Sequence, residues 1–119
     1  MAGILSYGTY VPYHRLDRQA ITQALGAGGG RGSRAVASYD EDPLTMAVEA
    51  SLAAVAGAPD GVTPSAIYFS TASPPYLEKT SATVIPAALG LGPNVLAADF
   101  NGAVRSGAGA QLAGPGDGG

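Results

Sequence analysis

Three observations predict an α/β fold with a mostly parallel sheet. Short apolar runs rich in β-branched and aromatic residues alternate with stretches at helical spacing. Crossover helices, and not tight turns, separate the apolar runs. A chain of 119 residues has room for one core. Strands joined through helices pair in parallel, because a tight turn connects only antiparallel neighbours. The expected order is β-α-α-β-α-β-α over a single domain of residues 1–113, followed by a disordered Gly-rich tail at 114–119.

The elements follow in order. Residues 3–11 read Gly-Ile-Leu-Ser-Tyr-Gly-Thr-Tyr-Val and stop at Pro12, which predicts a first strand. Residues 16–25 place Ala20, Ile21, Ala24 and Leu25 at helical spacing behind Asp17, an N-cap residue. Residues 26–33 include five glycines, whose ordering costs much backbone entropy, so a mobile loop is expected. Asp40, Glu41, Asp42 and Pro43 open the clearest helix, with an acidic start suited to the helix dipole. Leu44, Val48, Ser51, Leu52 and Val55 share one face of it, and it is expected to end near Ala56.

A Pro, Asp and Gly turn at 58–63 leads to the apolar run at 65–71, a second strand typical of a buried sheet. Ser73-Pro74-Pro75-Tyr76 is a rigid loop, and 81–89 is an alanine-rich helix ended by Gly90 with a kink expected at Pro86. Residues 95–100 form a third strand, and 101–113 turn into a helix of small residues.

Composition narrows the function classes. Net charge is −3, and the six basic residues are scattered along the chain, so a nucleic-acid surface is not expected. With no cysteine there is neither a disulfide, nor a thiolate metal site, nor a cysteine nucleophile. No apolar run reaches the roughly eighteen residues of a membrane span, and no signal-peptide pattern opens the chain, so a cytoplasmic location and no membrane partner are expected. Large apolar residues are few, with two Phe, two Met and no Trp, which predicts a thin core.

Three stretches carry a family resemblance. Residues 38–50, Ser-Tyr-Asp-Glu-Asp-Pro-Leu-Thr-Met-Ala-Val-Glu-Ala, are similar to a segment near the N-terminus of archaeal-type HMG-CoA synthases. Residues 70–80, Ser-Thr-Ala-Ser-Pro-Pro-Tyr-Leu-Glu-Lys-Thr, resemble that family's Ser-Glu-Ser-His-Pro-Tyr loop, which runs on to a lysine and a helix. Residues 99–107, Asp-Phe-Asn-Gly-Ala-Val-Arg-Ser-Gly, fall where the family carries its nucleophile turn, Cys-Lys-Ala-Gly. The chain thus resembles the N-terminal β-α-β-α-β half of a thiolase-like condensing enzyme over residues 3–112. Such enzymes are roughly three times this length and usually dimers, which implies a homo- or hetero-oligomer with thiolase-like subunits. They act on acyl-CoA as substrate, with no separate cofactor.

Two departures from the family bear on activity. In HMG-CoA synthases a cysteine accepts the acetyl group and a glutamate serves as acid and base. Here the resemblance puts Val104 at the cysteine position and Ala72 at the glutamate position. Neither side chain can attack a thioester or move a proton, so no catalytic residue is assigned. The family's assisting histidine and asparagine belong to the half that the match does not cover, and His14 reads as an ordinary surface histidine.

Other candidates have blander accounts. Asp40, Glu41 and Asp42 could ligate a metal but better serve to cap their helix. The glycines at 26–30 lack the Gly-Lys-Ser or Gly-Lys-Thr of a phosphate cradle and read as a loop insertion. Ser106 lacks a nucleophile elbow and a base, and helix capping is the better account. Lys79 and Arg105 could meet a CoA phosphate in an intact relative, yet they equally suit a solvated surface. The expectation is a truncated or degenerate HMG-CoA-synthase-like protein, inactive alone, whose family performs acyl transfer or Claisen condensation. The alternative is a non-catalytic partner subunit of a larger thiolase-like enzyme.

Overall fold

The structure, a computed structural model, describes residues 3–76, 80–102 and 105–113. Its elements are β1 (His14–Asp17), α1 (Arg18–Leu25), β2 (Ser33–Val36), α2 (Pro43–Ala56), β3 (Ala66–Thr71), α3 (Val84–Ala88), β4 (Leu96–Asn101) and α4 (Ser106–Ala113). They fall into two compact units, one of residues 1–10 and 43–119 and the other Val11–Asp42. Among the described residues no helix is long and apolar enough to cross a membrane. The tail at 114–119 lies outside the described residues.

The first unit is built on a parallel pair. β3 and β4 run side by side in register from Ala66 opposite Leu96 to Thr71 opposite Asn101. Side chains alternate across a strand, so the pair has two faces. Ile67, Phe69, Ala97 and Asp99 share one, and there Phe69 is buried with Leu44 of α2, Ala82 and Ile85 of α3. Tyr68, Ser70 and Phe100 share the other, where α4 packs on both strands and Tyr68 meets Phe100 edge to face at 5.7 Å. The expected parallel pairing is therefore present, with helices on both faces.

α2 and α3 begin and end close to where the sequence places them. Leu44 is buried and Val48 packs against the core, but Leu52 and Val55 stay 44% and 42% exposed, so only the first half of the predicted face is covered. Pro86 is buried inside α3 and needs no kink, because it lies in the first turn, where a helix has no use for its N–H. Gly90 follows at φ +72° and closes the helix.

Residues 3–10 do not form the predicted first strand. They lie along α2 instead: the Ser6 hydroxyl donates to the Ala54 carbonyl at 2.6 Å, and a side chain at Gly8 would overlap the Ala50 carbonyl. A strand needs a hydrogen-bonding neighbour as well as β-branched residues, and here the neighbouring element is a helix.

The second unit is a hairpin carrying a helix. β1 and β2 pair antiparallel, His14 opposite Val36 through Asp17 opposite Ser33, around α1. Neither short strand is evident from its residues, since each holds few apolar side chains. Asp17 caps α1 as predicted, accepting from the Gln19 N–H at 2.9 Å, and Gly26 ends the helix in the left-handed region. The glycine loop expected to be mobile is tied down. Gly29 is buried and donates to Thr22 Oγ1 at 3.1 Å, and a Cβ there would overlap the Arg18 carbonyl.

Candidate functional site

In sheets of parallel strands, ligands bind beyond the carboxyl ends of the strands, where the connecting loops gather. Both stretches that resemble the family's catalytic turns begin at that end, where β3 and β4 finish. Ala72 follows the last residue of β3 and is exposed. Val104 lies between β4 and α4 but outside the described residues, as does Lys79.

A hydroxyl pair links the two turns. Ser70, the penultimate residue of β3, and Ser106, the first residue of α4, bring their Oγ atoms to 2.7 Å. The capping expected of Ser106 thus gives way to a contact with the sheet, because α4 lies over the face on which Ser70 projects. A Cβ at Gly107 would lie 3.8 Å from Ser70 Oγ, an ordinary van der Waals contact. Arg105 is exposed just before the helix.

Asp99 organises the opposite face. Its two carboxylate oxygens accept from the N–H groups of Ser81 and Ala82 at 2.8 and 2.7 Å, tying the start of the α3 segment to β4. Charge-assisted bonds of this kind are among the stronger hydrogen bonds. Ser81 itself is fully buried, and its hydroxyl has no partner among the described residues. Neither Ser70 nor Asp99 was singled out from the sequence. The one available signal was an acidic residue inside the apolar run Leu-Ala-Ala-Asp-Phe.

The remaining candidates belong to the other unit. His14 is exposed on β1, stacked edge to face on Tyr13 at 5.6 Å, as an ordinary surface histidine would be. Glu41 accepts from the Ser38 N–H at 2.8 Å, and the Ser38 hydroxyl lies 2.7 Å from both Asp40 and Glu41. Two of the three acids therefore close a turn before α2. No cluster of three metal-ligating side chains occurs among the described residues.

No protein-family model matches the chain. It is 39% identical over 113 residues to the hydroxymethylglutaryl-CoA synthase of Methanopyrus kandleri, which covers 88% of this chain and 32% of that protein. It is 37% identical over 123 residues to the Archaeoglobus fulgidus protein of the same name, covering 94% of this chain and 35% of that one. Among solved structures, β-ketoacyl-[acyl carrier protein] synthase III (FabH) of Thermus thermophilus superposes with a TM-score of 0.72 at 25% identity, over 84% of this chain and 33% of that chain.

The chain corresponds to one part of the HMG-CoA-synthase-like, thiolase-fold family. A priming β-ketosynthase from the R1128 polyketide pathway agrees in fold, with a TM-score of 0.66 over 82% of this chain and 31% of its own. This HMG-CoA-synthase-like chain spans about a third of the length of the curated relatives it matches. Its α/β architecture, with a parallel pair between helices, is that of the family.

Proposed function

We propose that this chain keeps the frame of an HMG-CoA-synthase-like condensing enzyme without its chemistry, and transfers no acyl group by itself. The observation that carries the proposal is the absence of cysteine from all 119 residues. Acyl transfer through an enzyme-bound thioester requires a thiolate, and the matched position holds Val104, an aliphatic side chain. The acid and base function has no carrier either, since Ala72 ends in a methyl group. The nearby hydroxyls of Ser70 and Ser106 face each other, and a hydroxyl is too weak a base to activate its neighbour.

Incubation of the purified chain with acetyl-CoA and acetoacetyl-CoA, followed by thiol release and intact mass, tests this. No free CoA above background and no acyl adduct are expected. An adduct on any residue would overturn the proposal.

A non-catalytic partner role is the second reading, and exposed apolar residues favour it. In the first unit Ile4 is 88%, Leu5 69% and Tyr7 82% exposed. Apolar surface of this extent is stabilised by being covered. Light scattering of the chain mixed with a full-length HMG-CoA synthase would give a complex of fixed stoichiometry on this reading. Two independent species would end it.

A further inference from the structure

The segment before β1 alternates like a strand but lacks a strand's neighbour. The Ser6 hydroxyl donates to the Ala54 carbonyl, and a Cβ at Gly8 would overlap the Ala50 carbonyl, so both positions turn toward α2. Leu5, Tyr7 and Thr9, which flank them, are exposed. Side chains that alternate between two sides in this way follow the pattern of a β-strand. The seam with α2 is made of small residues, and Gly57, just after the helix, has its Cβ position 3.1 Å from Ser6 Oγ. Contacts this close hold the segment at one place on α2.

The backbone of residues 4–9 makes no hydrogen bond among the described residues. A row of unpaired N–H and C=O groups is a template for another strand, and natural edges are blunted by charged side chains, proline or bulges. Here no charged side chain occurs from Gly3 to Tyr13, and Pro12 comes only after the segment. The edge is open to pairing.

The order of side-chain sizes indicates what pairs with it. In an antiparallel pair centred on Tyr7, Ile4 stands opposite Tyr10 of the second strand, Leu5 opposite Thr9, Ser6 opposite Gly8 and Tyr7 opposite Tyr7. Large or β-branched side chains thus meet one another, and cross-strand pairs of these types stabilise a sheet. The two smallest residues fall together on the side where α2 stands. The segment is complementary to itself, which is the requirement of a two-fold interface.

We propose that residues 4–10 pair antiparallel with the same segment of a second copy of this chain, in the register centred on Tyr7. Ile4, Leu5, Tyr7 and Tyr10 together expose roughly 600 Å² per copy, so covering them in both removes at most about 1,200 Å², the lower end of specific interfaces. The dimer is therefore weak and depends on concentration. Its occupant is another copy of this chain, so it does not depend on the partner reading given above.

Sedimentation equilibrium of the full chain, from micromolar to millimolar concentration, tests the pairing. A monomer–dimer equilibrium is expected. Tyr7→Lys sets two like charges opposite each other and should weaken the dimer by about tenfold or more, and Tyr7→Glu should do the same. Because Tyr7 faces itself, mixing the two variants should restore association as a heterodimer. Tyr7 is exposed, so circular dichroism should show each variant folded as the parent chain is. Leu52→Lys, on α2 outside the segment, should change association by less than about twofold. A chain that stays monomeric throughout, dimers that either Tyr7 variant leaves intact, or a mixture of the two that stays monomeric would overturn the proposal. So would association only with added full-length HMG-CoA synthase, which would make the segment a docking strand for a different subunit.

Discussion

In the unit of residues 1–10 and 43–119, Leu44, Phe69, Ala82 and Ile85 are buried together, whereas in Val11–Asp42 the one buried residue among those described is Gly29. The first unit is held by apolar side chains removed from water on one face of a parallel pair. The second is held by an antiparallel ladder, a capped helix and backbone contacts at a glycine, with α1 burying no side chain at all. The difference teaches that a segment can be ordered without a core when its backbone donors and acceptors are satisfied locally. Such order has smaller individual contributions, so it responds differently to substitution.

Phe69→Ala is the most severe way to probe that contrast. It removes a buried aromatic side chain from the sheet face, and losses of about 3–5 kcal/mol are usual for such a change. Thermal unfolding by circular dichroism should lose its transition, and a melt shifted by only a degree or two would show that the first unit does not depend on this core. Gly29→Ala is the matching change in the second unit, where the new methyl group would meet the Arg18 carbonyl and Thr22 Oγ1. A cost of about 1–3 kcal/mol is expected from overpacking. Hydrogen exchange should speed up in α1, β1 and β2 while the amides of β3 and β4 keep their protection. Equal acceleration in both units would break the comparison.

Smaller effects sharpen it. Asp17→Ala removes the α1 cap and should cost about 1 kcal/mol, read as faster exchange in the first turn of α1. Unchanged exchange there would mean the helix is held by something other than its cap. Ser81→Ala removes a buried hydroxyl that has no partner among the described residues, so it should leave stability unchanged or raise it by up to about 1 kcal/mol. A clear loss in the melting temperature would show that the hydroxyl is bonded after all.

Strong local patterns were legible without coordinates. Helix α2 begins at Pro43 and ends at Ala56, as its apolar spacing and acidic approach indicate, and β3 and β4 coincide closely with the two apolar runs. The Asp17 cap was legible because an aspartate before a helical pattern has one favourable use. The first strand was not, because residues 3–10 have strand-like composition but lie on a helix and pair with no strand among the described residues. The hairpin of β1 and β2 was missed for the complementary reason, since His14–Asp17 and Ser33–Val36 carry little apolar pattern and pair across an intervening helix.

The candidate site divides in the same way. The sequence by itself determined the family resemblance and the absence of a cysteine, because these are facts of residue identity and order, and the resemblance implies that Val104 and Ala72 stand at the family's cysteine and glutamate positions. Only the tertiary structure decided that Ser70 meets Ser106, that Asp99 holds the start of the α3 segment, and that Gly29 anchors its loop on Thr22. Each of these depends on which distant residues face one another, and that is set by strand register and helix packing and not by local propensity.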